Sequence, residues 1–279
     1  MNQTEFHEIV SHFAIEGIVV DIEPLGTGFI NDTLRVRTAG NAPDYILQRK
    51  NRNIFPDVPA MMANIVAVTD HIRRKVIEAG GDPTREVLTV IPTVEGVPYW
   101  RTIADDYWTV CRFIDGSVTY ERADTPLLAY KGGEGIGKFQ TQLVDFDRPL
   151  AETIKGFHNI RWRFRQWDDS LERDAAGRKA SVAREIEWVE SRRASMLSFW
   201  ALVENGTIPM RVTHNDTKIS NILFDAAGNV MCVIDLDTVM SSTSLNDFGD
   251  AIRSYANTGA EDDPDPDNVS LDMEMFRAY

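Results

Sequence analysis

Val212-Thr213-His214-Asn215-Asp216-Thr217-Lys218-Ile219-Ser220-Asn221, followed by Val233-Ile234-Asp235-Leu236-Asp237, is the stretch that decides the fold. Asp216 and Asn221 stand in a D-x-x-x-x-N spacing, in which the aspartate accepts a hydroxyl proton and the asparagine carbonyl reaches a magnesium ion. His214 completes an H-x-D pattern with Asp216. Asp235 ends the apolar run Val230-Met231-Cys232-Val233-Ile234, so a strand delivers a second carboxylate, suited to holding magnesium against phosphates. A phosphoryl group in transfer asks little covalent chemistry of a protein, which leaves positioning and charge neutralisation. Either half alone is an ordinary turn feature. Together they imply phosphoryl transfer.

Asp247-Phe248-Gly249 spells the metal-binding triplet of protein kinases, yet the segment before it, Met240 to Asn246, is polar rather than an incoming strand. Asp247 is therefore expected to tie down the catalytic loop, or to cap a helix beginning at Asp250-Ala251-Ile252-Arg253.

The front of the chain carries what a nucleotide site requires. Ile18 to Ile22 and Thr33 to Arg37 alternate around Pro24-Leu25-Gly26-Thr27-Gly28, which predicts a hairpin with a glycine-rich tip whose amides approach phosphates. Tyr45-Ile46-Leu47-Gln48-Arg49 is a third strand, where kinases keep a phosphate-gripping lysine, so Gln48 or Arg49 must serve instead. The helix that follows, roughly Pro59 to Ala79, has Asp70 and Glu78 as its only acids. A lysine and glutamate pair of the usual kind is thus expected to be absent.

With these strings in view, the chain resembles the aminoglycoside phosphotransferase and choline kinase superfamily, and within it the N-acetylhexosamine kinases that phosphorylate the anomeric hydroxyl. The matching strings are Ser11 to Gly17, Gly26 to Thr33, Tyr45 to Arg49, Arg211 to Asn221, Ile234 to Thr238 and Asp247 to Asp250. The resemblance implies a protein-kinase-like two-lobed α+β fold, with an antiparallel N-lobe sheet plus helix and a mostly helical C-lobe. It implies ATP and Mg²⁺ as cofactors, Asp216 as base, Asn221 and Asp235 as metal ligands, Lys218 as a catalytic contact to the transferring phosphate, and His214 as a third catalytic residue. It further implies that Gly26, Gly28, Ile30, Asn31, Thr33, Gln48 and Arg49 surround the nucleotide. Arg112-Phe113-Ile114, ending the strand-like Tyr107 to Cys111, becomes the hinge that meets adenine. Asp216, His158 and Phe29 are then expected to face the acceptor, an amino sugar. Phe29 stands where the hexosamine branch carries a histidine, and the chain stops at Tyr279 where family members continue through further helices. Alternatives are another small acceptor, an amino alcohol or aminoglycoside, or nucleotide binding without catalysis. A metallohydrolase built on His214, Asp216 and Asp235 would need a second nearby histidine, which His7, His12, His71 and His158 do not supply in sequence.

Composition narrows the partners. A net charge of −14 excludes a nucleic-acid surface. Cys111 and Cys232 each lie in an apolar run, which predicts buried free thiols in a reducing cytoplasm. Neither a secretory leader nor an apolar run of roughly 20 residues is present, so no membrane is expected. The lobe boundary falls near Ile114-Asp115-Gly116-Ser117, giving a nucleotide-binding N-lobe over 1–114 and a C-lobe over 115–279. In the C-lobe, helices are predicted over Gly135 to Leu143 and Ser181 to Val203, with Arg161 to Trp167 amphipathic. The acidic run Glu261 to Asp267 lacks the glycine and closing glutamate of a calcium loop and reads as a solvated linker.

Overall fold

The computed structural model describes residues 2–26, 30–260 and 263–279. Gly28 and Phe29, assigned above to nucleotide and acceptor, lie outside the described residues, as do Glu261 and Asp262.

The front half is an antiparallel sheet under a short helix. Strands β1 (Val19–Pro24), β2 (Asp32–Thr38) and β3 (Tyr45–Lys50) run in order, and β6 (Tyr107–Arg112) pairs β3 with Tyr45 opposite Arg112. The short β4 (Val90–Ile91) and β5 (Trp100–Arg101) pair the far edge of β6. Side chains alternate across a strand, so β3 presents Tyr45 and Leu47 to one face and Ile46, Gln48 and Lys50 to the other. Tyr45 and Leu47 pack with Ile22, Val36, Trp108 and Val110 under Ile9, Val10 and Phe13, which belong to or directly follow helix α1 (Gln3–Ser11). The opposite face looks onto the cleft between the lobes.

Helix α2 (Val58–Glu78) begins at Asp57, whose side chain accepts from the Ala60 amide, with a proline in its first turn. Its buried face packs on both sides of residue 114. Met61, Met62, Ile65, Val68 and Ile72 join Phe139 and Leu143 of the next helical segment, and Val212, Leu236 and Val239 from the catalytic region. One hydrophobic core therefore runs across the expected lobe boundary.

The back half is mostly helical, as its sequence implied: α3 (Pro126–Gln142), α4 (Ile160–Arg173), α5 (Ala183–Glu204), α6 (Ser244–Tyr255) and α7 (Met273–Ala278). Two small antiparallel ribbons interrupt it, β7 (Arg211–Thr213) with β10 (Met240–Ser242), and β8 (Ile222–Phe224) with β9 (Val230–Val233). The helix expected from Asp250 begins at Ser244, capped by the Thr243 hydroxyl. Its polar opening, which argued for a loop, is a first turn that carries Asp247 inward.

Candidate active site

The loop between β7 and β8 is held from three sides. Its Asn215 adopts φ 67°, a left-handed conformation that asparagine tolerates better than most residues. The Asn215 side chain donates to the Thr238 carbonyl at 2.9 Å and its amide donates to Asp247 Oδ1 at 2.8 Å. The fully buried Asp247 also accepts from the His214 amide and from Gln140 Nε2. Burial pushes its carboxyl pKa up, against those hydrogen bonds. Asp247 thus ties the loop down and stands apart from the metal assignment, as the sequence implied.

His214 is fully buried. Its Nε2 meets the Ile234 carbonyl at 2.8 Å and its Nδ1 accepts the Asp216 amide at 3.2 Å, which fixes the Nε2–H tautomer. The ring joins the loop to the strand end that delivers Asp235. It positions the neighbouring carboxylates and does not face the cleft, so its expected catalytic place becomes a supporting one.

Asp216 emerges half-buried beyond that clamp. Asn221 Nδ2 donates to both its carbonyl and its Oδ2, at 2.8 and 2.9 Å, and Lys218 Nζ lies 3.4 Å from the same Oδ2. Both amide protons of Asn221 are thereby used, which leaves its carbonyl oxygen available to a cation. The Asn221 main-chain carbonyl accepts the Ile234 amide at 2.8 Å, binding the two halves of the motif together.

Asp235 has φ 58°, an uncommon conformation for a residue with a Cβ. Although the residue opens to the cleft, desolvation by the surrounding walls raises its pKa first, and the nearby Asp237 charge raises it further. Among the described residues, no side chain or amide donates a hydrogen bond to its carboxylate. A cleft-facing carboxylate beside a second one, with an amide oxygen from Asn221 on the same cleft wall, is a donor set suited to a hard divalent cation.

The cleft has a volume of about 440 Å³. Asn221, Asp235 and Asp237 line one wall, Gln48 and Lys50 another, and the expected hinge Arg112, Phe113 and Ile114 the end. Gly26 lines its roof. The amides of Arg112 and Phe113 are donated to Thr89 and Asp44. Among the described residues the Ile114 amide has no backbone partner.

Three expected nucleotide residues stand elsewhere. Arg49 is on the outward face of β3, donating to Asp32 Oδ2 at 2.8 Å. Thr33 stands behind Gln48, accepting from its Nε2. Ile30 is exposed, its carbonyl accepting from Asn51. Asn31 reaches across the lobes instead, donating to Asp237 Oδ2 at 2.8 Å.

His158 Nε2 meets the Asn215 carbonyl at 3.0 Å at the edge of a second, smaller cleft of about 120 Å³, lined also by Glu152, Trp200 and Ser241. It holds the catalytic loop from the side of that smaller cleft.

Sequence reasoning passed over Lys50 and Asp237. Lys50 is buried, its Nζ 2.8 Å from both Asp237 oxygens, so the chain does own a lysine and carboxylate pair. Its acid comes from the turn after β9 rather than from α2, so the pair is of another kind than the usual one, and it is Lys50 rather than Gln48 or Arg49 that brings a cation to the cleft.

A family profile described as phosphotransferase enzyme family matches residues 21–271. The chain belongs to that family. This phosphotransferase is similar in fold to spectinomycin phosphotransferase in complex with ADP and spectinomycin (TM-score 0.54, 13% identity, 89% of this chain and 72% of the other). It is likewise similar to an aminoglycoside phosphotransferase from Alicyclobacillus acidocaldarius (0.54, 16%, 88% and 70%) and to an ethanolamine kinase from Plasmodium vivax (0.52, 15%, 85% and 61%). At such identities the likeness speaks for the kinase-like two-lobed α+β fold. The family makes the chain a small-molecule phosphotransferase that uses a nucleotide. Among the described residues, no helix is long and apolar enough to cross a membrane.

Proposed function

We propose that this phosphotransferase moves the terminal phosphoryl group of ATP to the anomeric hydroxyl of an N-acetylhexosamine. The observation that carries the reading is the meeting of Asn221 and Asp235 at one wall of a cleft whose far end is the 112–114 hinge, with Asp216 bonded to Asn221 beside them. The base would lie in the apolar end, among Met62, Ile65, Leu88 and Leu223, with the Ile114 amide at hand as donor. Asp216 accepts the proton of the attacking hydroxyl. Asn221 fixes its carboxylate through two hydrogen bonds, and Lys218 brings positive charge to the same oxygen. Asn221 and Asp235 would hold Mg²⁺, which when bound neutralises phosphate charge. Preference for the amino sugar rests on the string resemblance, with the small cleft beside His158 adjoining the catalytic loop.

A coupled assay for ADP release, with N-acetylglucosamine, N-acetylgalactosamine, choline, ethanolamine and aminoglycosides as acceptors, tests the reading. Magnesium-dependent turnover on the N-acetylhexosamines is expected, and it should disappear with their 1-deoxy analogues. Faster turnover on an amino alcohol or aminoglycoside would move the acceptor assignment, and ADP release from no acceptor would favour nucleotide binding alone.

A further inference from the structure

Between β7 and the short helical turn Ile219–Asn221 the chain has neither helix nor strand to satisfy its amides, and four consecutive ones are taken by side chains. His214 and Asn215 donate to the two oxygens of Asp247, at 3.2 and 2.8 Å, and Asp216 donates to His214 Nδ1 at 3.2 Å. The fourth, Thr217, donates to Asp250 Oδ2 at 2.7 Å, the shortest of the set. The buried Thr217 hydroxyl donates to the main-chain carbonyl of Asp247 at 2.8 Å. Asp247 and Asp250 stand three residues apart on α6 and so share one face of that helix.

Resting on the phosphotransferase reading above, we propose that Asp250 is a positioning residue for the base Asp216, acting through the peptide unit that joins residues 216 and 217. That unit is planar, so holding its two polar ends fixes the direction in which the Asp216 side chain leaves the backbone. Its carbonyl accepts from Asn221 Nδ2 at 2.8 Å, and its N–H is the one that donates to Asp250. Asn221 Nδ2 also holds the Asp216 carboxylate, 2.9 Å from Oδ2. With the N–H end released, the plane could turn about its flanking bonds and carry the carboxylate away from Asn221. Asp250 blocks that turn.

The Asp250 carboxylate is itself oriented for this task. Arg253 donates Nε and Nη2 to Oδ1, at 3.2 and 3.0 Å, which leaves Oδ2 turned to Thr217. The Asp250 side chain is only 11% exposed, so little water competes for that oxygen, and an amide bonded to an ionised acceptor is held more firmly than one bonded to a neutral group. Asp247 is already engaged at both oxygens, by the amides of residues 214 and 215 and by Gln140. The two acids thus divide the loop, Asp247 holding the residues before the base and Asp250 the one after it.

Steady-state ADP release by the full chain with N-acetylglucosamine as acceptor, beside calorimetry of ADP with magnesium, tests the assignment. Asp250→Ala should lower kcat about 10- to 100-fold, the span of a lost hydrogen bond to a charged group, and leave nucleotide KM and ADP affinity unchanged. Asp250→Asn keeps an acceptor oxygen and should recover most of kcat, although it gives up the ion pair with Arg253. Hydrogen exchange over residues 214–218 should quicken in Asp250→Ala and stay at the unmutated rate in Asp250→Asn. Unchanged turnover in Asp250→Ala, an Asp250→Asn variant as slow as Asp250→Ala, or ADP affinity falling in step with kcat would show the carboxylate to be structural only and overturn the proposal. If the unmutated protein releases no ADP with any acceptor, the proposed function falls instead, and the exchange contrast then decides on the clasp alone: equal rates in all three forms overturn it.

Discussion

Asp235 occupies the costliest place of any residue in the site. It combines φ 58°, a side chain open to the cleft yet desolvated by the walls around it, a raised pKa and a carboxylate neighbour. Such placement is characteristic of a side chain kept for binding rather than for stability. An acid whose folded pKa lies above its unfolded value removes stability as pH rises from the unfolded pKa through the folded one. Asp235→Asn should therefore raise the melting temperature of the ligand-free protein at pH 7 only slightly, by about 1 °C or less, because solvent reaching this cleft-facing carboxylate screens the effect. The gain should vanish at acid pH, where both forms are neutral, and magnesium-dependent nucleotide binding should be lost. A lower midpoint at pH 7, by scanning fluorimetry across pH, would contradict this account. Asp216, Asn221 and Asp235 were legible in sequence because their chemistry dictates residue type and spacing together. Lys50 was not, since Tyr45-Ile46-Leu47 is apolar on both faces of the strand and parity could not say which set turned to the cleft. Asp237 was hidden for a related reason, its partner lying on a strand remote in sequence.

Helix α3 shows how an element can be missed when its sequence serves its neighbours. The string Lys131-Gly132-Gly133-Glu134-Gly135-Ile136-Gly137 discourages a helix, and expectation began only at Gly135, yet the helix runs from Pro126 under a Thr125 cap. Packing explains three of the glycines. A Cβ on Gly133 would stand 2.6 Å from the main-chain oxygen of Tyr279. A Cβ on Gly132 would stand 2.2 Å from the buried Tyr255 ring of α6, and one on Gly135 would stand 3.2 Å from Ile222 and Val230. Gly137 has nothing within 4 Å and is exposed. Gly132→Ala should accordingly destabilise by about 2 kcal/mol through overpacking, although alanine is the better helix former. Gly137→Ala should stabilise by about 1 kcal/mol. Urea unfolding of the two variants measures this contrast, and equal effects of either sign would refute the packing argument. The strands and α2 were legible because their apolar periods are regular, whereas the start of α6 was obscured by the polar residues Thr243, Ser244 and Asn246, which prove to be its cap and first turn.

At the scale of the whole molecule, the proposed boundary at residue 114 marks a change of architecture more than a break in packing. Core side chains of α2 meet Phe139, Leu143, Val212, Leu236 and Val239, all beyond it. Thermal unfolding should then appear as one transition rather than two, and calorimetry resolving separate N-lobe and C-lobe transitions would exclude the shared core as the source of cooperativity. The lobed fold was legible from the order of strands and helices, but this continuity was not, because sequence periodicity says which face is buried and never against what. The same arrangement has a further effect. Met62, Ile65, Leu88 and Leu236 belong at once to that core, or its margin, and to the wall of the nucleotide cleft. A purine in that cleft would pack directly against the main core of the protein: even a bare base, carrying neither ribose nor phosphate, should raise the melting temperature of the entire fold in scanning fluorimetry.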